Sequence, residues 1–117
     1  MEDHSCRSDV IANTGLVIFV TVSSEDEAIK ISRAVVEARL AACANIVPGV
    51  RSLFRWEGKL SEEREVLVVL KSKVELFDEL ASLVKSLHSY QVPEIIALSI
   101  IKVNTPYLKW MDESMRK

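Results

Sequence analysis

The side chains best suited to hold a metal ion in the body of this sequence are the imidazole of His88 and the thiol of Cys43. His88 begins the stretch HSYQVPEI, in which Glu94 adds a carboxylate. A transition-metal site takes three or four ligands of these types. Cys43 and His88 lie far apart along the chain, and no HxxxH or CxxC spacing places two strong ligands on one element. The sequence therefore marks His88, Cys43 and Glu94 as candidate ligands but gives only a weak signal for a preformed site.

His88 and Cys43 each have a second interpretation that needs no ligand. His88 is also explained as a loop histidine that is hydrogen-bonded at a subunit junction, because a ligating or pH-sensing role needs partners. Cys43 follows Ala41-Ala42, and free cysteine is often buried as a small apolar residue, although its thiolate suits soft Cu(I). If Cu(II) binds, we expect His88 to dominate, since a loop imidazole is more accessible than a thiol ending an alanine-rich helix.

Signatures of catalysis are absent from the sequence. It contains no GxSxG, P-loop or GxGxxG motif and no close Cys-His-Asp arrangement. The net charge of -2 gives no basic footprint for nucleic acid or for an acidic membrane surface. We therefore expect a binding or assembly protein rather than an enzyme, with neither nucleic acid nor membrane as a partner.

Length and composition predict one globular domain. The 117 residues are 49% hydrophobic and 27% charged, which suffices for a core without disulfides. Residues 1–14 mix charges and lack the apolar segment of a signal peptide, so we interpret them as a flexible tail before a single domain over residues 15–117. The two cysteines suggest no disulfide framework, and no apolar run reaches the roughly 18 residues of a spanning helix. We expect a cytoplasmic protein.

Two capping boxes predict where the main helices begin. The apolar run 16–22 is typical of a central strand, and Ser24 with Glu27 starts a helix directly after it. Ser72 with Glu75 forms a second box, which is followed by apolar residues at helical spacing. The sequence therefore predicts one helix after the first strand and another after the third.

The remaining segments predict three further strands and a short helix. Residues 44–56 are β-prone but interrupted at Pro48-Gly49, which indicates a bent strand at a bulge or a sheet edge. A turn leads from it into an antiparallel strand over residues 64–71. A fourth strand over residues 95–103 precedes a terminal helix, because the proline after Thr105 suits a first helical turn.

The resulting order βαββαβ predicts an α+β fold, the ferredoxin-like sandwich, with a short C-terminal helix. Right-handed crossovers place two helices on one face of a four-stranded antiparallel sheet. The other face of the sheet is left without a cover. Since the chain is 49% hydrophobic, we expect this face to be hidden by oligomerisation.

Four segments in this order and spacing resemble the CutA divalent-cation tolerance family: ARLAACANIVPGVRSLFRWEGKL, EVLVVLKS, HSYQVPEIIAL and TPYLKW. The resemblance covers about residues 16–110. It implies a ferredoxin-like subunit, a tight homotrimer related in architecture to the PII signalling proteins, and an association with tolerance of copper and other divalent metals. No firmly established enzymatic reaction comes with the family.

The same resemblance adds charged and aromatic residues to the metal candidates His88, Cys43 and Glu94. These residues either line clefts between subunits or pack at the interface as ion pairs and aromatic contacts. The set comprises Trp56, Glu65, Lys71, Tyr90, Tyr107 and Trp110.

The chain also departs from the family pattern at three places. Ser89 stands where proline is usual, and Val20 and Leu87 stand where bacterial copper binders offer a cysteine and a second histidine. No cofactor is certain, and Cu(II) or another divalent cation is the candidate. The resemblance thus implies a metal-tolerance trimer that binds metal ions or a small ligand at its clefts. The alternative is a PII-like signalling or scaffold protein with no direct metal role.

Overall fold

The computed structural model describes residues 14–117, so the interpretation of residues 1–14 as a tail falls almost wholly outside the described residues. The elements follow one another as β1 (Gly15–Val22), α1 (Glu25–Glu37), β2 (Cys43–Trp56), β3 (Lys59–Lys73), α2 (Val74–Leu87), β4 (Ile95–Ser99) and α3 (Thr105–Ser114). The predicted order of strands and helices is confirmed. Within residues 14–117, no helix is both long and apolar enough to cross a membrane.

β1 and β3 form the centre of the sheet, whose strand order is β2-β3-β1-β4 with every neighbouring pair antiparallel. Side chains of β1 alternate between buried and half-buried, as in Ile18 and Val20 against Phe19. The buried side chains form one core with fully buried residues of α1 and α2, such as Ile31 and Leu80. The prediction of an α+β ferredoxin-like sandwich is confirmed, with helices on one face of the sheet.

β2 is bent where the sequence predicts an interruption. The register between β2 and β3 shifts between Val47 and Val50, and Gly49 adopts φ 79° there. Such a positive φ is accessible to glycine without the clash that a Cβ would cause. β2 is also an edge strand, which accommodates Pro48 because a proline cannot donate to a ladder. The prediction of a bent strand at a sheet edge is confirmed.

β2 and β3 extend beyond the sheet as a long hairpin. β1 pairs with β3 only over residues 66–73, so residues 59–65 pair with β2 alone. The turn consists of Glu57 and Gly58, both at positive φ (50° and 80°), which matches the twist of a two-residue type I′ hairpin. This tight turn lets β3 begin at Lys59 rather than at residue 64 as predicted. The hairpin contributes to an elongated shape of 55 × 25 × 23 Å.

The predicted capping box of Ser72 with Glu75 is wrong. Ser72 belongs to β3, is fully buried, and donates its hydroxyl to the backbone oxygen of Leu40 at 2.6 Å. The N-cap of α2 is Lys73, which makes no side-chain cap hydrogen bond. Ser72 lies on the face of β3 that points to the helices, where the carbonyl of Leu40 needs a donor because it is buried.

β4 is shorter than predicted, because it ends at Ser99 rather than at residue 103. Its last pair with β1 is Leu16 with Ser99, and only Gly15 of β1 lies beyond it. The backbone oxygen of Gly15 accepts a final hydrogen bond from the amide of Ile100 at 2.9 Å. Residues 101–103 therefore have no β1 residues to pair with, although Ile101 and Val103 continue the apolar pattern of the strand.

Arg39 joins α3 to the end of α1. Its guanidinium donates hydrogen bonds to the backbone oxygens of Glu113, Ser114 and Met115 at 2.7, 3.2 and 3.4 Å. These carbonyls lie at the C-terminus of α3, where helical partners are lacking. Arg39 itself has φ 60°, and its backbone oxygen accepts the amide of Arg116 at 3.0 Å. These hydrogen bonds hold α3 in a position in which its residue Met111 is buried in the core.

We expect Arg39→Ala to lower the free energy of unfolding by about 2 kcal/mol, because hydrogen bonds to a charged group are each worth roughly 1.5–3 kcal/mol. Urea denaturation measures the change. The matched control is Arg33→Ala, at an exposed arginine of α1 whose side chain makes no hydrogen bond or ion pair within residues 14–117. It should change stability by less than about 0.5 kcal/mol. Equal stability of the two variants would show that apolar packing alone holds α3.

Candidate functional site

The ring of His88 is enclosed within its own chain. The side chain is 0% exposed, Nε2 lies 2.8 Å from the carbonyl oxygen of Thr21, and Nδ1 lies 3.0 Å from the amide nitrogen of Tyr90. Because a carbonyl only accepts and an amide N–H only donates, this pairing assigns a neutral ring with its proton on Nε2. Both nitrogens are thus occupied. The expectation that His88 is the accessible imidazole is wrong, because the loop folds the ring against β1.

The carboxylate of Glu27 holds the loop that follows His88 by hydrogen bonds. It accepts hydrogen bonds from the amide of Ser89 at 3.0 Å, the hydroxyl of Ser89 at 2.8 Å and the hydroxyl of Ser23 at 3.1 Å. It also lies 3.3 Å from Nδ1 of His88. Burial by itself would raise the pKa of Glu27, but the hydrogen bonds from Ser89 and Ser23 lower it below its ordinary value. The ionised carboxylate is therefore the form that holds the loop.

The Ser24 cap confirms the predicted start of α1, but Glu27 has a second use. Ser24 Oγ accepts the amide of Glu27 at 3.2 Å, as a capping box requires. The carboxylate of Glu27 turns instead toward Ser89. Sequence reasoning missed Glu27 as a site residue, because its position in the box indicates only a helix start. Ser89 supplies two donors at a position where proline, usual in the family, would supply neither.

Tyr90 connects the same loop to β3. Its hydroxyl donates to Oε2 of Glu65 at 2.9 Å, and its ring centroid lies 4.8 Å from that of His88. Burial, together with the hydrogen bond to Glu65 and its charge, raises the pKa of Tyr90 to about 12. Glu65 is itself only 8% exposed. We name His88, Ser89 and Tyr90 with Glu27 and Glu65 the loop network.

Cys43 belongs to a second cluster, near the end of β3 and away from Glu65. Its Sγ lies 3.6 Å from the hydroxyl of Tyr107, whose ring centroid is 5.3 Å from that of Trp110. The contact with the thiol of Cys43, together with burial, raises the pKa of Tyr107 above its ordinary value. Beside Cys43 in the ladder, Lys71 donates to Oδ1 of Asn45 at 2.5 Å.

The candidate metal ligands do not meet within one chain. Cys43 on β2 pairs with Lys71 on β3, which in turn pairs with Val17 on β1. His88 contacts Thr21, four residues further along β1. At the rise of a strand this separation is about 13 Å. Glu94 is exposed in the loop before β4, and residues 14–117 contain no group of three or more His, Cys, Asp or Glu placed to hold a metal ion. Residues 14–117 of a single chain therefore do not fit a metal centre.

The other predicted site residues divide between the two clusters and the hairpin. Glu65 and Tyr90 join His88 in the loop network, and Tyr107 and Trp110 join Cys43. Trp56 stands apart at the end of β2, where it is 61% exposed. The arrangement brings together hydrogen-bonding and stacking groups, which are the means of a binding surface or an assembly contact.

These features define a small ferredoxin-like α+β protein with an uncovered sheet face and a protruding hairpin. The model of the CutA1 divalent ion tolerance protein family matches residues 16–114. The chain belongs to this family. It is 48% identical over 98 residues to the divalent-cation tolerance protein CutA of Thermus thermophilus, which covers 84% of this chain and 95% of that protein.

Other relatives are similar over the same domain. The chain is 46% identical over 93 residues to protein CutA of Homo sapiens, covering 80% of this chain but 52% of that protein. It therefore spans about half the length of this relative. The solved structure of the Thermus thermophilus protein superposes with a TM-score of 0.86 at 46% identity, over 87% of this chain and 99% of that one. The solved structure of CutA1 from Oryza sativa superposes with a TM-score of 0.88 at 38% identity, over 92% of this chain and 98% of that one.

The lowered pKa of Glu27 predicts a pH dependence of stability. A carboxylate whose pKa is lower in the folded than in the unfolded state stabilises above its unfolded pKa, and this contribution disappears as the pH falls through the folded value. We therefore expect Glu27→Gln to be less stable than the parent protein at about pH 7, with the difference shrinking toward about pH 3. Urea midpoints across this range measure it.

Glu25→Gln is the matched control, since Glu25 is exposed in the same helical turn and its side chain makes no hydrogen bond or ion pair within the described residues. It should follow the parent protein at every pH. A stability difference for Glu27→Gln that stays constant between about pH 7 and about pH 3 would show that its charge does not hold the loop.

Proposed function

We propose that the chain acts in divalent-cation tolerance as a cytoplasmic homotrimer that binds metal ions or a small ligand at clefts between its subunits. Its role is binding and assembly rather than catalysis. Membership of the CutA1 divalent ion tolerance family supports the broad function. The observation that carries the assembly is the sheet face that neither α1 nor α2 covers.

The uncovered face displays large apolar side chains. Ile96 is 50% exposed, Leu98 is 49% exposed, and Val47 on β2 is 43% exposed. The register places Ile96 beside Phe19 and Leu98 beside Val17, on the side of β1 opposite the core. Contiguous apolar surface of this kind marks a site of protein association. A second copy of the same chain supplies a cover of matching character.

The hairpin supplies a second apolar surface that one chain leaves uncovered. Its exposed apolar residues are Leu53, Phe54, Trp56 and Leu60. The edges of the sheet, β2 and β4, also retain backbone groups that another strand can pair with. A closed ring of three copies covers the sheet faces and leaves no free edge for further growth. The protruding hairpin is then an arm that reaches the neighbouring subunit.

Clefts between the copies are the proposed binding sites. Lys71 on β3 and Glu94 in the loop before β4 are polar groups that a cleft can use, whereas the Tyr90 hydroxyl and the Glu65 carboxylate already pair with each other at 2.9 Å. Because one chain provides no set of three ligands within residues 14–117, a bound divalent ion takes ligands from more than one copy. Cys43, which is half-buried, is the accessible soft ligand among the described candidates.

The alternative function is a PII-like signalling or scaffold trimer whose clefts take a small molecule, with no direct role for metal. The enclosure of His88 favours this alternative over a copper centre, since both ring nitrogens already have partners. Val20 and Leu87 offer no ligand in place of the missing cysteine and histidine. The two functions share the trimer and differ in the occupant of the cleft.

The trimer is tested by placing a charge on the uncovered sheet face. We expect the parent protein to show a trimeric mass by size exclusion with light scattering and to keep it on dilution to nanomolar concentration. Leu98→Asp should lower the mass, because the carboxylate would be buried without a partner. Val74→Asp is the control, since Val74 is 55% exposed at the start of α2, away from the sheet face. A monomeric parent protein would refute the assembly.

Copper binding is tested by titration of Cu(II) into the native protein. With an incomplete ligand set, we expect a dissociation constant on the order of micromolar or weaker. Cys43→Ser should weaken binding, whereas His88→Gln should leave it unchanged as long as the variant stays folded. His4→Ala with Cys6→Ser tests the two ligands that precede the described residues. Nanomolar binding that disappears in His88→Gln would show that the loop opens to give a true copper site.

A further inference from the structure

An open groove of about 440 Å³ lies between α1, the segment that leads into β2, and α3. α1 forms one wall with Ser32, Arg33, Val36 and Glu37, and the other wall consists of residues 42–44 with Trp110 of α3. The volume falls in the range of small-molecule sites, about 300–1,000 Å³. The groove is separate from the loop network, and it shares Cys43 with the proposed metal ligands and Trp110 with the residues proposed at the subunit junction.

The groove combines apolar walls with a free charge of each sign. Val36 and Trp110 are 36% and 44% exposed, so apolar surface faces the opening. Arg33 and Glu37 are one helical turn apart on the same wall. Within residues 14–117 neither side chain makes a hydrogen bond or an ion pair, with each other or with another residue. Both charges therefore remain available to a ligand.

Ser32 adds a buried polar group that lacks a partner. The residue is 7% exposed and lines the groove, and its Oγ has no hydrogen bond among the described residues. A buried hydroxyl without a partner is unfavourable, because it has lost water and gained nothing in return. Because the Oγ is itself buried, a ligand in the groove reaches it only after the Ser32 hydroxyl rotates toward the opening.

The aromatic wall is held in place by its neighbours. The ring of Trp110 lies 5.3 Å from that of Tyr107 at 39°, and the hydroxyl of Tyr107 contacts Sγ of Cys43 at 3.6 Å. Arg39 fixes the end of the helix that carries both rings. Trp110 thus offers a positioned flat surface, on which an aromatic or large apolar group packs without much loss of side-chain freedom.

We propose that this groove binds a free α-amino acid with a large apolar or aromatic side chain. Its carboxylate pairs with the guanidinium of Arg33, a geometry that arginine favours. Its ammonium group pairs with Glu37, and its side chain packs between Val36 and Trp110. The zwitterion is the class that matches an adjacent free cation and anion on one wall, because a simple anion would leave Glu37 unpaired.

Tryptophan fluorescence of the native assembly tests the proposal. The chain has two tryptophans, and Trp56→Phe leaves Trp110 as the reporter within the groove. We expect L-phenylalanine to change its emission saturably. Phenylacetate, which lacks the ammonium group, and phenethylamine, which lacks the carboxylate, should each bind at least about tenfold more weakly, a loss of about 1.4 kcal/mol. Ligand-observed saturation-transfer NMR detects binding that leaves the emission unchanged.

Arg33→Ala and Glu37→Gln should each weaken the binding of L-phenylalanine by at least about tenfold. Lys30→Ala is the matched control, because Lys30 is exposed on α1 but does not line the groove. Three results would overturn the proposal: no saturable binding by either method at millimolar ligand, equal binding of phenylacetate and L-phenylalanine, or affinity unchanged by both groove variants. A monomeric parent protein that still binds L-phenylalanine would refute the proposed assembly alone.

Discussion

The structure depends on a sheet whose two faces are both apolar while one chain provides helices for only one of them. Ile18, Val20 and their counterparts on β3 bury completely against α1 and α2. The residues between them, such as Phe19, are left on the other face with Ile96 and Leu98. Because side chains alternate along a strand, the same apolar sequence that builds the core also creates the uncovered surface. The proposed trimer is the consequence of this constraint.

The loop before β4 illustrates how a residue of suitable chemistry can be used for structure. His88, Ser89 and Tyr90 direct their polar groups inward to β1, α1 and β3. The anchoring groups are ionised Glu27 and buried Glu65, which are distant from the loop in sequence. The histidine is thereby withdrawn from metal ions, and the loop gains a fixed course toward the sheet edge. A metal-tolerance function that operates through this chain therefore relies on surfaces formed between copies or on another ligand.

α3 has a different effect, because it builds a surface instead of closing one. The guanidinium of Arg39 satisfies the carbonyls at the end of this helix and sets its position against α1. That position buries Met111 and leaves Trp110 facing α1 across the groove. The stability of α3 and the shape of the proposed amino-acid site are thus coupled through one arginine, whose left-handed backbone conformation no sequence pattern indicates.

The sequence by itself determined the fold class, the order of elements, the Ser24 cap and the bent strand at Pro48-Gly49, because these follow from apolar periodicity and local backbone chemistry. It also identified the family through short motifs in register. Tertiary structure decided the environment of His88 and the use of Ser72 as a donor to Leu40. Their partners are distant in sequence, and only packing determines which groups meet. The burial of a side chain and its hydrogen bonds depend on which groups come together in the folded chain, so no local pattern could reveal them.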